Sequence, residues 1–247
     1  MYYSYWLEKL KLNKSNVSKI IICCGTPKRL EVLLKYLSNP SLICEFYSMK
    51  TYTGKYEDIT VTITSTGFGS PDSVFALELL YQVGGDYIIR VGSAGALNEK
   101  INIGDLFIIS GAVRGEGTSL YYAPLEYPAI PDPIVTNSLI EAAERLKIKY
   151  NTGIVWTMDA IFKETSDKVA LMDSLNVKCV DMICSSLFVT SSIYKKKSGA
   201  ILVISDNVKI NNVGFNSKEL HESEEKTSLI TFESVKILKE KGLLNEQ

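Results

Sequence analysis

Histidine is almost absent from this chain of 247 residues, which contains only His221. A zinc site or a Ser-His-Asp triad would therefore depend on one side chain. That side chain lies in the acidic run 219–225, which is typical of an exposed helix start. We predict no metal site and no chemistry based on histidine ligands.

An excess of positive charge is also missing. The 27 lysines and arginines nearly balance 28 aspartates and glutamates, giving a net charge of -1, whereas nucleic-acid binding normally requires a basic patch or stripe. No apolar run approaches the roughly 20 residues that span a bilayer. The first six residues lack the cationic and apolar parts of a signal peptide. We expect a cytoplasmic protein with neither a nucleic-acid nor a membrane partner.

The five cysteines show no pattern of disulfides or zinc ligands. Their number is odd, and Cys23 and Cys24 are adjacent within an apolar run, which is typical of buried small hydrophobic residues. Cys179 and Cys184 are five positions apart and lack the C-x₂-C spacing of a zinc site. We therefore expect buried, unpaired thiols.

The chain alternates short apolar runs with longer amphipathic ones, which indicates an α/β protein. The predicted strands are 19–24, 56–64, 87–91, 106–110, 152–157 and 200–205. The predicted helices are 27–37, 70–82, 137–146, 180–194 and 218–241. There is no repeat, low-complexity tract or linker, so we predict a single domain over residues 1–247.

Unusual residues lie at the ends of three predicted strands: Gly25–Arg29, Arg90–Gly95, in which a glycine-rich turn is expected to follow Arg90, and Ser205–Asn207. In open α/β sheets, ligands bind beyond the carboxyl ends of the strands. Backbone N–H groups and arginines suit an anion, because a guanidinium stays charged and binds phosphate oxygens in pairs. The P-loop and dinucleotide glycine patterns are absent. The anion is therefore expected to be free phosphate or a small phosphorylated sugar.

Each of these residues has an alternative, structural interpretation. Arg90 ends an apolar strand, where a buried cation is costly without an anionic partner, and that partner could be a protein carboxylate as well as a ligand. Asp206 could cap the next turn instead of facing a ligand. The residues alone leave both alternatives open.

The combined motifs resemble the nucleoside phosphorylase family of the purine and uridine type, from about Ile20 to the terminal helix. The matching segments are Gly25–Arg29, Thr66–Pro71, Arg90–Ala96, Ala123–Ala129 and Val203–Asn207. The resemblance implies a three-layer α/β/α sandwich with a mixed, partly barrel-like central sheet. It also implies a homo-oligomer, either a dimer or a hexamer of three dimers, with the aromatic N-terminus at a subunit interface.

The resemblance further implies a reaction and its residues. Phosphate, the co-substrate, attacks C1′ of a nucleoside, and the base leaves through an oxocarbenium-like state; no other cofactor is implied. The residues implied to hold phosphate are Gly25, Arg29, Arg90 and Ser93. Those implied to line the sugar and base are Phe68, Ile161 and Met182. Asp206 matches the residue that protonates N7 of a departing purine, which requires a raised pKa.

Several positions depart from the family pattern. Ile183 replaces the glutamate that binds the ribose hydroxyls, and no arginine is found near Cys44, where a partner subunit usually completes the phosphate site. The N-terminus lacks the expected histidine, and residues 163–166 lack the Gln-x-Arg clamp of the uridine branch.

Three functions therefore stay open: a phosphorylase, a hydrolase of the same fold, and a non-enzymatic relative. Retention of Arg29 and Arg90 counts against the hydrolase, whereas Ile183 and Cys44 support the non-enzymatic relative. For the phosphorylase, Asp206 favours a purine substrate, and the Ala123–Ala129 segment keeps uridine as the second choice.

Overall fold

The computed structural model of the protein describes residues 2–244, so the ends of the predicted domain 1–247 lie outside the described residues. The described chain contains these strands: β1 (Ile20–Cys24), β2 (Ser38–Phe46), β3 (Met49–Tyr56), β4 (Ile59–Thr66), β5 (Tyr87–Ala96), β6 (Leu106–Gly115), β7 (Asn151–Met158), β8 (Val177–Asp181), β9 (Lys197–Asn207) and β10 (Asn212–Val213). It also contains these helices: α1 (Tyr2–Lys9), α2 (Pro27–Leu34), α3 (Ser70–Gln82), α4 (Pro133–Arg145), α5 (Ser166–Ser174), α6 (Cys184–Ile193) and α7 (Lys218–Glu240).

The strands form one mixed sheet in the order β10-β9-β6-β7-β8-β5-β1-β4-β3-β2. An additional pairing of β9 with β5 closes five strands, β5 to β9, into a barrel. Strand β5 is parallel to β1 and β9 and antiparallel to β8. Closure satisfies the backbone of these strands on both sides and leaves no exposed edge among them.

Two helical layers cover the sheet, and the alternation of side chains in β1 shows why. Ile20, Ile22 and Cys24 pack into one core with α2, α4 and α7, whereas Ile21 and Cys23 pack into the other with α3 and α6. Strand side chains alternate between faces, so an unbroken apolar run is typical of a strand buried on both sides. The predicted three-layer fold with a partly barrel-like sheet is confirmed.

All five cysteines are buried and unpaired, as predicted. Burial raises the pKa of both Cys23 and Cys24 to about 12, so neither thiol ionises near neutral pH. Between residues 2 and 244, no helix has the length and apolar character needed to cross a membrane.

Some predicted elements differ from the observed ones. Residues 180–194 were expected to be helical throughout, but Val180 and Asp181 belong to β8 and the helix begins only at Cys184. Strand β8 pairs with β7 in the buried centre of the sheet, which suits its β-branched valines. The helix predicted over 27–37 ends at Leu34, and the strand predicted from residue 56 begins at Ile59.

The sequence patterns did not predict strands β2 and β3 or helix α1. Strand β2 lies at the edge of the sheet, contains Pro40 and is largely exposed, so it lacks the apolar run that marks the central strands. Helix α1 has no fully buried residue and is held through Trp6, whose ring lies 5.1 Å from that of Phe46 and 5.2 Å from that of Phe75.

Candidate functional site

A cavity of about 180 Å³, here called the central cavity, lies where β1, β4, β5, β8 and β9 end. Its wall includes every site residue singled out from the sequence: Gly25, Arg29, Phe68, Arg90, Ser93, Ile161, Met182 and Asp206. Two larger depressions, of about 960 and 520 Å³, contain none of them. The fold thus brings together all the predicted side chains, although what each does there stays a prediction.

The segment after β1 forms a tight turn into α2. The Thr26 hydroxyl accepts a hydrogen bond from the Arg29 backbone N–H at 3.3 Å, and Pro27 occupies the first turn of the helix. Thr26 therefore caps the amino end of α2. A Cβ on Gly25 would lie 3.2 Å from the Gly67 carbonyl oxygen, so glycine permits the close approach of these two strand ends.

The Arg29 guanidinium is buried against the last helix. Its Nη2 lies 2.6 Å from Oε1 of Glu224, and the two side chains are only 12% and 23% exposed. Its Nε has no hydrogen-bond partner among residues 2–244. Arg29 is therefore held in place by a carboxylate, lines the central cavity, and keeps a donor that residues 2–244 do not use.

Arg90 is only 4% exposed and lies in the middle of the sheet. Its Nη2 lies 3.2 Å from Oδ2 of Asp181, while Nε and Nη1 have no partner within the described chain. The structural salt bridge considered from the sequence is thus present, but it uses only part of the guanidinium. A buried cation with two unsatisfied nitrogens at a cavity wall is suited to an anion.

The glycine-rich segment after Arg90 was expected to be a turn, and this expectation is wrong. Strand β5 continues through Gly92 and Gly95 to Ala96 and pairs with β9 over its length. A Cβ on Gly92 would lie 2.9 Å from Nη2 of Arg90, and one on Gly95 would lie 2.9 Å from Oδ2 of Asp206. These glycines leave room for the side chains of Arg90 and Asp206.

Asp181, which the sequence reasoning missed, organises the inner wall of the cavity. Its carboxylate accepts hydrogen bonds from the Thr157 hydroxyl at 2.7 Å and from the backbone N–H groups of Ile183 and Cys184 at 3.1 and 3.0 Å. Asp181 therefore orients the Arg90 guanidinium and also binds the backbone at the start of α6. The sequence signal that could have identified Asp181 is a charged residue at the end of a largely apolar segment, as at Arg90.

Asp206 lies on β9 beside a β-bulge. Ala94 of β5 is opposite Ile204, but Gly95 is opposite Asp206, so Ser205 is the extra residue. The Ser205 hydroxyl donates to Oδ1 of Asp206 at 2.7 Å. Burial raises the pKa of Asp206, and this hydrogen bond opposes the shift. The following 3-10 turn, Val208–Ile210, receives no side-chain cap, so the alternative capping role is not observed.

Apolar side chains form the remaining wall. Phe68 and Ile161 are 65% and 40% exposed, so the cavity is open on this side. Ile183, in contrast, is buried at the start of α6. Because its side chain accepts no hydrogen bond, it leaves that part of the wall without a group for a sugar hydroxyl.

Glu164 is a second carboxylic acid at the wall that the sequence reasoning did not assign. Burial, followed by the negative charge of Asp206, raises the pKa of Glu164 to about 7. Nothing in the sequence marks this position, because it follows a short 3-10 turn, Ile161–Lys163, and not a strand. Within residues 2–244, no group of three or more His, Cys, Asp or Glu side chains is arranged to hold a metal ion.

Two arginines and a half-buried carboxylic acid at the strand ends of an α/β sheet are typical of proteins that bind small ligands at this place. The sequence profile of the phosphorylase superfamily matches residues 19–235, and the chain belongs to this family.

Individual relatives agree with this assignment. The chain is 34% identical to a uridine phosphorylase of Thermococcus kodakarensis, over 91% of this chain and 84% of the relative. It is 29% identical to a guanosine phosphorylase of Halorubrum lacusprofundi, over 82% and 84% of the two chains. The solved structure of a uridine phosphorylase from Vibrio fischeri ES114 superimposes with a TM-score of 0.86 at 28% identity, covering 92% of this chain and 96% of that one.

Proposed function

We propose that this protein is a nucleoside phosphorylase that uses inorganic phosphate to cleave the N-glycosidic bond of a nucleoside, giving free base and ribose 1-phosphate. One observation carries the proposal. Arg29 and Arg90, whose guanidinium groups both keep nitrogens without a partner in the described chain, line one cavity with Asp206, whose pKa burial raises. These are the groups needed to hold an anionic nucleophile and to protonate a leaving base.

The proposed reaction follows from this arrangement. Phosphate binds to Arg29 and Arg90, with Gly25 and Ser93 beside it, and is thereby oriented toward C1′ of the sugar. A phosphate oxygen forms the new bond to C1′ as the bond from C1′ to the base nitrogen breaks. The electron pair of that bond moves into the base, and Asp206 donates its proton to N7. Phe68, Ile161 and Met182 line the sugar and base.

We propose a purine nucleoside as the substrate, because a carboxylic acid near N7 has no matching acceptor on uracil. Uridine is the second candidate, and the names of relatives favour it. The wall near Ile183 offers no acceptor for a ribose hydroxyl, so the sugar is expected to be held mainly by apolar contact with Met182 and Phe68.

We further propose that the protein is a homo-oligomer in the cytoplasm. Phe162, next to the cavity residue Ile161, is 96% exposed, and Phe68 at the same opening is 65% exposed. Large exposed aromatic groups around a binding site favour coverage by another protein surface. A second copy of the chain would close the open side of the central cavity.

The direct test is an assay of inosine, adenosine, guanosine, methylthioadenosine, uridine and thymidine with and without phosphate. We expect phosphate-dependent release of purine bases, lost in Asp206→Asn and kept in the control Asp167→Asn, which changes an exposed carboxylate on α5. Cleavage without phosphate would indicate the hydrolase. Cleavage of uridine alone would overturn the purine assignment, and no turnover of any substrate would favour the non-enzymatic relative.

A further inference from the structure

Glu164 shares the central cavity with Asp206 but has no structural task of its own. Its side chain is partly buried, between the 3-10 turn Ile161–Lys163 and α5. Within residues 2–244, no hydrogen bond or ion pair involves its carboxylate. A half-buried carboxylate that stabilises nothing in the fold and faces a ligand cavity is suited to contact the ligand.

Among residues 2–244, no cation lies within ion-pair distance of this carboxylate, neither Lys163 beside it nor Lys168 on α5. The other charged residues lining the cavity are Asp206, Asp181, Arg29 and Arg90. Arg90 is paired with Asp181 and Arg29 with Glu224. On the neighbouring elements, Lys209 is paired with Asp173 at 2.9 Å. Glu164 and Asp206 are thus two acids that influence each other without a counter-ion.

Two such carboxyl groups do not ionise independently. Burial and the charge of Asp206 raise the pKa of Glu164 to about 7, and burial raises the pKa of Asp206 as well. Below pH 7 the two groups together hold one proton, and at still lower pH they hold two. In the one-proton state, the pair presents one hydrogen-bond donor and one acceptor, whichever carboxyl carries the proton.

This pattern discriminates between purines. The edge of adenine that contains N7 offers an acceptor, N7, next to a donor, the 6-amino group; the same edge of guanine offers two acceptors, N7 and O6. Hypoxanthine has the same 6-oxo group as guanine. With the proton on Asp206 directed at N7, an ionised Glu164 accepts from a 6-amino group but opposes the lone pairs of a 6-oxo group.

We propose that Glu164, which lines the central cavity together with Asp206, is a specificity-determining residue that selects 6-aminopurine nucleosides over 6-oxopurine nucleosides. This inference rests on the proposed function, which directs Asp206 to N7. It adds the residue that reads the neighbouring position of the base.

The test compares kcat/KM for adenosine and inosine with phosphate in the native protein, in Glu164→Gln and in the control Asp167→Asn. At pH 7 we expect the native protein to prefer adenosine by at least about tenfold, since mismatched buried polar groups discriminate strongly. The glutamine amide rotates to donate or to accept, so the preference is expected to fall to within about threefold. The control should keep the native ratio.

The pH dependence of this ratio distinguishes base reading from a structural role. As the pH falls well below 7, both carboxyls become protonated and the pair gains a second donor. The adenosine-to-inosine ratio should then decline in the native protein and stay constant in Glu164→Gln. A ratio that is unchanged by the substitution, while phosphate-dependent cleavage persists, overturns the inference and leaves the proposed function intact.

Calorimetric binding of free adenine and hypoxanthine separates the two proposals if no nucleoside is cleaved. Tighter binding of adenine by at least about tenfold, abolished in Glu164→Gln, would support base reading even without turnover. Equal binding of the two bases by the native protein would overturn it. Efficient cleavage of uridine, with the adenosine-to-inosine ratio unaffected by Glu164→Gln, would also overturn it.

Discussion

At the level of single residues, the Arg90 guanidinium forms a structural ion pair and is also proposed to bind a ligand. One nitrogen is paired with the buried Asp181, and the other two have no partner in the described chain. A structural ion pair thereby fixes the orientation of a group that we propose binds phosphate. Sequence reasoning treated these tasks as alternatives, because it had no information on which carboxylate the fold would bring to Arg90.

Arg90→Ala tests both tasks. We expect phosphate affinity to fall by about 2–4 kcal/mol, because charge-assisted hydrogen bonds are lost. The free energy of unfolding should fall by about 3–5 kcal/mol, because Asp181 remains buried without its partner. Calorimetric titration with phosphate and urea denaturation measure the two effects.

Arg90→Lys serves as the companion variant if Arg90→Ala does not fold. Lysine retains the positive charge beside Asp181 but cannot bind phosphate oxygens in pairs. Stability should recover more than phosphate affinity does. Native phosphate affinity in both variants would contradict the role assigned to Arg90.

Glu164 provides a test of pH-dependent stability. Its pKa is raised from the ordinary 4.5 to about 7 in the folded state. Between these values the folded protein retains a proton that the unfolded chain has released, so the free energy of unfolding decreases as the pH rises through this window. Glu164→Gln removes this loss. The free energy of unfolding of the variant should therefore rise relative to that of the native protein from pH 4.5 to about 7. Above pH 7 the difference should stay constant.

The full pKa shift of Glu164 corresponds to about 3 kcal/mol in the free energy of unfolding. Because the side chain is partly exposed, we expect the variant to gain about 1–2 kcal/mol. Urea denaturation of both proteins at pH 5 and pH 8 measures the difference. An identical stability difference at the two pH values would show that the folded-state pKa of Glu164 is not raised.

At the level of elements, Arg114 organises the segment after β6. Its guanidinium donates to the carbonyl oxygens of Ser119, Ala123 and Tyr127 at 2.9, 2.8 and 2.8 Å, and also to that of Pro124. No residue from 123 to 129 lines the central cavity. The segment that resembles the uridine branch is therefore a structural loop, and it provides little information on the substrate.

Arg114→Ala should loosen this loop. Four carbonyl groups lose a charged donor in a half-buried position, so we expect a loss of about 2–3 kcal/mol in the free energy of unfolding. Limited proteolysis should cut faster within residues 118–128. The control Arg145→Ala removes an exposed arginine on α4 and should leave cleavage in this segment unchanged. Equal cleavage rates in native protein and Arg114→Ala would refute the anchoring role.

The elements that could be predicted are those with an unambiguous apolar period. Strand β1 and helix α3 were recognised because their apolar residues or caps mark them locally. Strand β2 was missed because its stability depends on pairing with β3, and pairing between separate segments leaves no local pattern. The same applies to the site: Asp206 follows a recognisable strand, whereas Glu164 gains its position only from the packing of distant segments.

At the level of the whole molecule, the exposed aromatic groups next to the central cavity predict self-association. Sedimentation should give at least twice the 27.5 kDa of one chain. Phe162→Glu should shift the protein toward the monomer, because it places a charge in the proposed contact. Leu229→Glu, at an exposed position on α7, serves as the control. A native protein that sediments as a monomer would contradict the proposal.

The bulge at Ser205 has a consequence for how the direction of the Asp206 side chain can be inherited. Along a strand, successive side chains point to opposite faces, so their direction depends on a count of residues and not on their chemical nature. The count between the start of β9 and Asp206 includes Ser205, the residue without a partner on β5. Removal of this serine would leave Ile204 paired with Ala94 and the following carboxylate paired with Gly95, so the ladder would become regular and the carboxylate would stay on its present face. The bulge is thus a point on β9 at which the length of the chain can change without reversing the side chains that follow.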